Sequence, residues 1–168
     1  MSITELELLA PPGIPLISRG ADLADLILKA IEGIGRQLSS GDIVVVAQKI
    51  VSKAEGRYVN LCDVDPSPRA KRLAARTHKD ARFVELVLAE SNEILRARPG
   101  LLVVVHRLGI VLANAGIDHS NVSDDEDSSQ VLLLPVDPDS SSQRLRDDFR
   151  RLSGVDVGVI INDSLGRA

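Results

Sequence analysis

The chain has 168 residues, 44% hydrophobic and 26% charged, and a formal net charge of −4. That length bounds one domain, or two small lobes, with enough chain to bury a core. The composition excludes a membrane helix, because no apolar run nears ~18 residues, and the single Cys62 excludes a disulfide framework or a cysteine-based zinc site.

With 24 acidic and 20 basic residues there is no general attraction to nucleic acid. Tyr58, Phe83 and Phe149 are the only aromatics, too few for a base-stacking platform. Residues 1–13 carry two glutamates and no basic cluster before their apolar residues, unlike a targeting peptide. A reducing, cytoplasmic setting is the expectation, with no membrane partner. The core must come from Leu, Ile, Val and Ala, which suits a mixed α and β protein.

In chain order, residues 4–9 predict a short strand, and PPGIP at 11–15 breaks regular structure, because proline removes amide donors. Over 21–34, Leu23, Leu26, Ile27, Ala30, Ile31 and Ile34 fall at helical spacing, with Gly33 and Gly35 as candidate ends. Residues 39–42 (SSGD) read as a turn and 43–47 as a buried strand. Residues 48–56 (QKIVSKAEG) then form a polar, basic stretch at a strand end, a common place for ligand contacts.

Helices are predicted over 69–76 and 82–96, the second with Phe83, Leu86, Val87, Ile94 and Leu95 on one side. Pro99-Gly100 ends it, and 101–105 and 110–113 form a β-pair around Arg107-Leu108-Gly109. A loop rich in Asp, Ser and Asn occupies 114–127, and its SDDEDSS run at 123–129 reads as solvated. A strand at 131–134 follows. Asp137 and Ser140 can satisfy orphan amides at the start of a helix over 141–152 that ends at Gly154. A last aliphatic strand covers 155–161.

Three places combine polar groups with preceding strands. The first holds Gln48, Lys49, Ser52, Lys53 and Glu55; lysine binds phosphate as a compact point charge. A solvated hairpin or strand rim would use the same residues, and no GxxxxGK[ST] motif is present. The second runs from Asn114 to Asn121, where Asp118 could hold Mg²⁺ or Mn²⁺. An Asx-type turn needs the same residue types, and His119 alone is weak. The third is Asp163-Ser164, a carboxylate and hydroxyl after a strand, or else a cap or turn. Asp118 and Asp163 would approach each other if their strands were neighbours. There is no GxSxG elbow, and Cys62 has no activating base nearby in sequence.

Five segments carry a more specific signal: GIPLI (13–17), GDIVVVAQKIVSKAEGR (41–57), HRLGIVLANAGIDHSNV (106–122), LLLPVDPDSSSQRLR (132–146) and VGVIINDSLGRA (157–168). Together and in this order they resemble the γ-glutamyl ligase of deazaflavin coenzyme F-420 biosynthesis. The resemblance implies an α+β fold, a mixed sheet with flanking helices. It implies a GTP-dependent ligase that joins L-glutamate to the F-420 precursor and adds further glutamates through γ-linkages, with Mg²⁺ or Mn²⁺ required and a homodimer as the assembly.

Carried over by residue, it implies a nucleotide-contacting turn at Ile14, Pro15, Leu16 and Ile17, further GTP contacts at Gln48, Lys49, Lys53 and Asn121, and metal ligation by Asp118, Asp163 and Ser164. Ser164 stands where the family has threonine and keeps the hydroxyl. The family continues well past the Gly-Arg motif, with a later segment that adds nucleotide contacts and a metal ligand. The expectation is therefore that residues 1–168 are the N-terminal, truncated part of one ligase domain, with no second complete domain; the nitroreductase-like domain fused to some family members is absent.

The implied route passes the γ-phosphoryl of GTP to the precursor's carboxylate, giving an acyl phosphate that the glutamate amine attacks. No residue offers itself as general base. Two other readings compete: a nucleotide- and metal-binding remnant without ligase activity, and a structural module whose polar loops are ordinary turns.

Overall fold

A computed structural model of the chain describes residues 6–119 and 129–163. The fold is α+β, with five helices and three small sheets among those residues. Residues 6–10 have no regular structure and Leu6, Leu8 and Leu9 are exposed, so the strand predicted at 4–9 is absent over 6–9. Helix α1 spans Leu23–Gly33, and the Asp22 side chain accepts from the Asp25 N–H at 3.0 Å. Strand β1 (Ile43–Ala47) has the predicted limits, but it is not a buried strand: only Val46 is buried.

Residues Gln48–Ala54 form helix α2 rather than a polar rim. Ile50, Val51 and Ala54 give it an apolar face that packs into a core cluster. The helix has no side-chain N-cap, so its start carries no sequence signal. Strand β2 is Tyr58–Asn60, followed by a 3₁₀ turn over Leu61–Asp63. Helix α3 (Pro68–Thr77) has Ser67 as its cap and Pro68 in its first turn, where a missing N–H costs nothing.

The helix predicted over 82–96 is two elements. Helix α4 covers Ala81–Ala89, and Ser91–Arg98 is strand β3. β3 turns at Pro99-Gly100 and pairs antiparallel with β4 (Leu101–His106), which pairs in turn with β5 (Val111–Ala113). Register shifts interrupt the β3–β4 ladder between Ser91 and Glu93 and between Ile94 and Arg96. They break the two-residue alternation and leave an apolar spacing that mimics a helix. Asn114–Gly116 is a 3₁₀ turn. Strand β6 (Gln130–Leu132) pairs antiparallel with β2. Helix α5 (Pro138–Ser153) begins at Asp137, whose carboxylate accepts from the Ser140 N–H at 2.9 Å, and closes on Gly154 at φ 77°. Strand β7 (Gly158–Asn162) pairs parallel with β1, Ala47 opposite Asn162.

Two apolar clusters form the interior. One gathers Leu61, Ala70, Val84, Val87, Leu102, Val104, Ile117 and Val131. The other gathers Leu23, Ile27, Val46, Val51, Leu145, Phe149 and Val157. Among the described residues no helix is long and apolar enough to cross a membrane.

Candidate functional site

The parallel pairing of β1 and β7 brings two predicted positions to one end of a sheet. Ala47 lies opposite Asn162, so Gln48 and Asp163 leave the paired strands at the same edge. Helix α2 starts there and packs against both β6 and β7. Its two lysines are half-buried, with Lys53 in the last turn.

Asp118 arrives from the other cluster. Its N–H donates to the Leu132 carbonyl at 2.9 Å, and its carbonyl accepts from the Leu132 N–H at 2.8 Å, an antiparallel bridge at the end of β6. Its carboxylate forms an ion pair with the Lys49 ammonium. Both are partly shielded, with side chains 31% and 22% exposed for Lys49 and Asp118, so the attraction is less screened than that of a surface pair. The strands that carry Asp118 and Asp163 are not neighbours: β6 pairs with β2 and β7 with β1. The two carboxylates are thus carried by separate sheets, both of which α2 contacts.

The turn before Asp118 is unusual. Asn114, Ala115 and Gly116 all have positive φ, at 53°, 54° and 67°. Left-handed backbone disfavours residues with a Cβ, and Ala115 is fully buried. The Asn114 Oδ1 atom is buried and lacks a hydrogen-bond partner among the described residues. Such strain persists only where the surroundings over-determine it.

The residues implied to contact nucleotide do not all share one environment. Ile14, Pro15 and Leu16 are exposed, while Ile17 lies in the core beside α1. The stretch that follows is tied to the end of α2: the Gly20 N–H donates to the Ala54 carbonyl at 2.8 Å. Arg19 lies over Gly56, whose φ is 68° and where an added Cβ would come within 2.6 Å of the arginine Cδ. The Gln48 Oε1 atom accepts from the Ser52 hydroxyl at 2.9 Å. Asp163 and His119 are exposed. Asn121 and Ser164 lie outside the described residues, as does most of the acidic run at 123–129.

The donor chemistry suits a hard dication. Among the described residues no three His, Cys, Asp or Glu side chains converge, so a closed protein cage is not built from them. Mg²⁺ and Mn²⁺ need only one or two carboxylates beside water and phosphate oxygens. Asp118, which already holds a cation in the form of the Lys49 ammonium, is such a carboxylate.

A second polar cluster escaped sequence reasoning. The Glu90 Oε2 atom accepts from Arg57 Nη2 at 3.2 Å and from Arg107 Nε at 3.0 Å, and His106 Nε2 stands 3.6 Å away. Burial holds the His106 pKa below its ordinary value, against the opposing pull of Glu90 and with the help of Arg107 and Arg57. No spacing rule joins residues 57, 90, 106 and 107: Arg57 closes one singled-out segment, His106 and Arg107 open another, and Glu90 lies in neither.

The family model described as F420-0:Gamma-glutamyl ligase matches residues 13–168. Among curated proteins, a coenzyme F420:L-glutamate ligase of Methanopyrus kandleri is 47% identical over 148 residues, 88% of this chain and 55% of the relative. The protein of the same description in Methanothermobacter thermautotrophicus is 43% identical over 162 residues, 96% of this chain and 63% of the relative. That of Archaeoglobus fulgidus is 45% identical, covering 96% and 61%. The chain thus spans about three-fifths of the length of these relatives.

Proposed function

The chain belongs to the F420-0:gamma-glutamyl ligase family, and on that premise we propose that it takes part in GTP-dependent joining of L-glutamate to the deazaflavin coenzyme precursor. The observation that carries this reading is the pairing of Lys49 with Asp118 beside the strand end from which Asp163 emerges. A lysine paired with one carboxylate, and a second carboxylate leaving the strand edge where that lysine's helix starts, are groups that suit a nucleotide triphosphate and its dication.

A free carboxylate is a poor acyl donor, because oxide does not leave. In the proposed route the precursor's carboxylate oxygen attacks the γ-phosphorus of GTP, the bond to the β-phosphate oxygen breaks, and GDP departs. The amine of L-glutamate then attacks the acyl carbon, phosphate leaves with the former carboxylate oxygen, and the amine gives up a proton. Lys49 and Lys53 supply fixed positive charge for the phosphates. Ile14, Pro15, Leu16, Ile17, Gln48 and Asn121 would contact the nucleotide. Asp118, Asp163 and Ser164 would hold Mg²⁺ or Mn²⁺, which neutralises phosphate charge when bound. The Lys49 ammonium paired with Asp118 keeps positive charge at the place where the ion would be held. A homodimer and a cytoplasmic setting belong to the same proposal.

The test is GDP release with GTP, Mn²⁺, L-glutamate and the deazaflavin precursor, using the Methanothermobacter relative as the full-length control. Release by this chain, abolished by Asp118→Ala, supports the reading; release by the full-length control alone means that ligation needs the later segment of the family as well. Stabilisation by GTP and Mn²⁺ without GDP release would instead favour a binding unit that does not ligate. If Asp118→Ala left that stabilisation intact, the site would lie elsewhere.

A further inference from the structure

We propose that Arg57, held in place by Glu90, is a positioning residue that sets Asp118 against Lys49; the inference rests on the reading of that pair as part of the metal and phosphate site. Arg57 grips both sides of the site. Its backbone N–H donates to the Ser52 carbonyl at 3.0 Å, within the helix that carries Lys49 and Lys53. Its carbonyl accepts from the Leu133 N–H at 3.0 Å. Its side-chain Nε donates to the Leu134 carbonyl at 2.8 Å. Leu132, the next residue back, makes both backbone bonds to Asp118. One residue therefore joins the helix bearing the lysines to the segment on which Asp118 is registered.

The direction of the guanidinium is set from behind. Glu90 accepts from its Nη2, so that Nε is turned to Leu134. Glu90 is itself fixed by Arg107, whose Nε donates to its carboxylate and whose N–H donates to its carbonyl, both at 3.0 Å. The side chains of Arg57 and Glu90 are 21% and 13% exposed. A fork of donors with a rigid plane can meet a carboxylate and a carbonyl at once; a lysine offers no fixed plane.

Arg57→Met keeps the aliphatic stem and leaves Glu90 paired with Arg107, so no carboxylate is stranded. Two readouts on the full chain test it: amide hydrogen exchange without metal, and Mn²⁺ affinity from the free-ion electron paramagnetic resonance signal. Exchange at the Asp118 and Leu132 amides is expected to rise roughly tenfold, the scale of one lost hydrogen bond, with Val103 and Val104 in β4 unchanged. Mn²⁺ binding is expected to weaken roughly tenfold, as for residues that orient metal ligands. Arg57→Lys should recover part of both, and Arg57→Met should add nothing to Mn²⁺ affinity once Asp118 is alanine. Should Arg57→Met not fold, Glu90→Gln is expected to move both readouts in the same direction. Unchanged exchange at Asp118 and Leu132, or equal acceleration in β4, overturns the positioning role. A wild-type chain that binds no Mn²⁺ overturns the metal reading of the site, and the exchange data then still decide the role of Arg57.

Discussion

His106 is fully buried with one ring nitrogen satisfied and one not. The Leu108 N–H donates to Nδ1 at 3.0 Å, so the neutral ring carries its proton on Nε2, which has no hydrogen-bond partner among the described residues, the Glu90 carboxylate standing 3.6 Å away. Charging the ring would place a second proton on Nδ1 and break that bond, at a buried position where desolvation, Arg107 and Arg57 together outweigh the pull of Glu90. The folded state therefore binds this proton less readily than the unfolded chain, whose histidine titrates near 6.5. The sign follows: stability is complete above about pH 6.5 and falls as pH drops through that value toward the lower folded pKa. Urea midpoints between about pH 7.5 and pH 5.5 should show this leg, and His106→Gln should flatten it.

Turns that look alike in sequence differ in what surrounds them. Gly100 and Gly116 both sit at positive φ, 76° and 67°. An added Cβ at Gly100 meets open space, so Gly100→Ala costs only the left-handed backbone strain, about 1 kcal/mol. At Gly116 it would come within 3.0 Å of Leu134 Cδ1 and 3.2 Å of Leu112 Cδ1. Gly116→Ala adds overpacking to the strain and should cost roughly 3 kcal/mol. Equilibrium urea unfolding of the two variants separates the terms. Because Gly116 lies two residues before Asp118, its variant is also expected to weaken Mn²⁺ binding, and the Gly100 variant is not.

The two apolar clusters give the molecule its functional plan. Lys49 belongs to a helix rooted in the cluster around Phe149, through Val51. Asp118 follows Ile117, which belongs to the cluster around Leu102 and Val104. Their ion pair spans the seam between the two cores. Phe149 is fully buried, and Phe149→Ala should cost about 3–5 kcal/mol, a large part of a domain's 5–15 kcal/mol. The loss is read from the urea midpoint. As Phe149 touches the site only through packing, Mn²⁺ affinity in the fraction that stays folded should hold.

Local chemistry was enough to read much of this chain. Asp137 and Gly154 marked the ends of α5 because capping and left-handed termini need those residue types, whatever the rest of the fold does. The limits of β1 and the β4–β5 pair were equally plain, because aliphatic runs bounded by turns have few other uses. Lys49, Lys53, Asp118 and Asp163 could be singled out, but from chemical type and family likeness. Tertiary contacts decided the rest. Ser91–Arg98 is a strand only because β4 lies beside it and the bulges hide its alternation. Residues 48–54 are a helix because one face packs into a core. Asp118 meets Lys49 rather than a neighbouring strand's Asp163 because separate sheets carry the two carboxylates. The grip of Arg57 and Glu90 depends on residues 33 positions apart and on a carbonyl 77 positions away. Sequence spacing is read along one dimension, and these contacts exist only once the chain has folded back on itself.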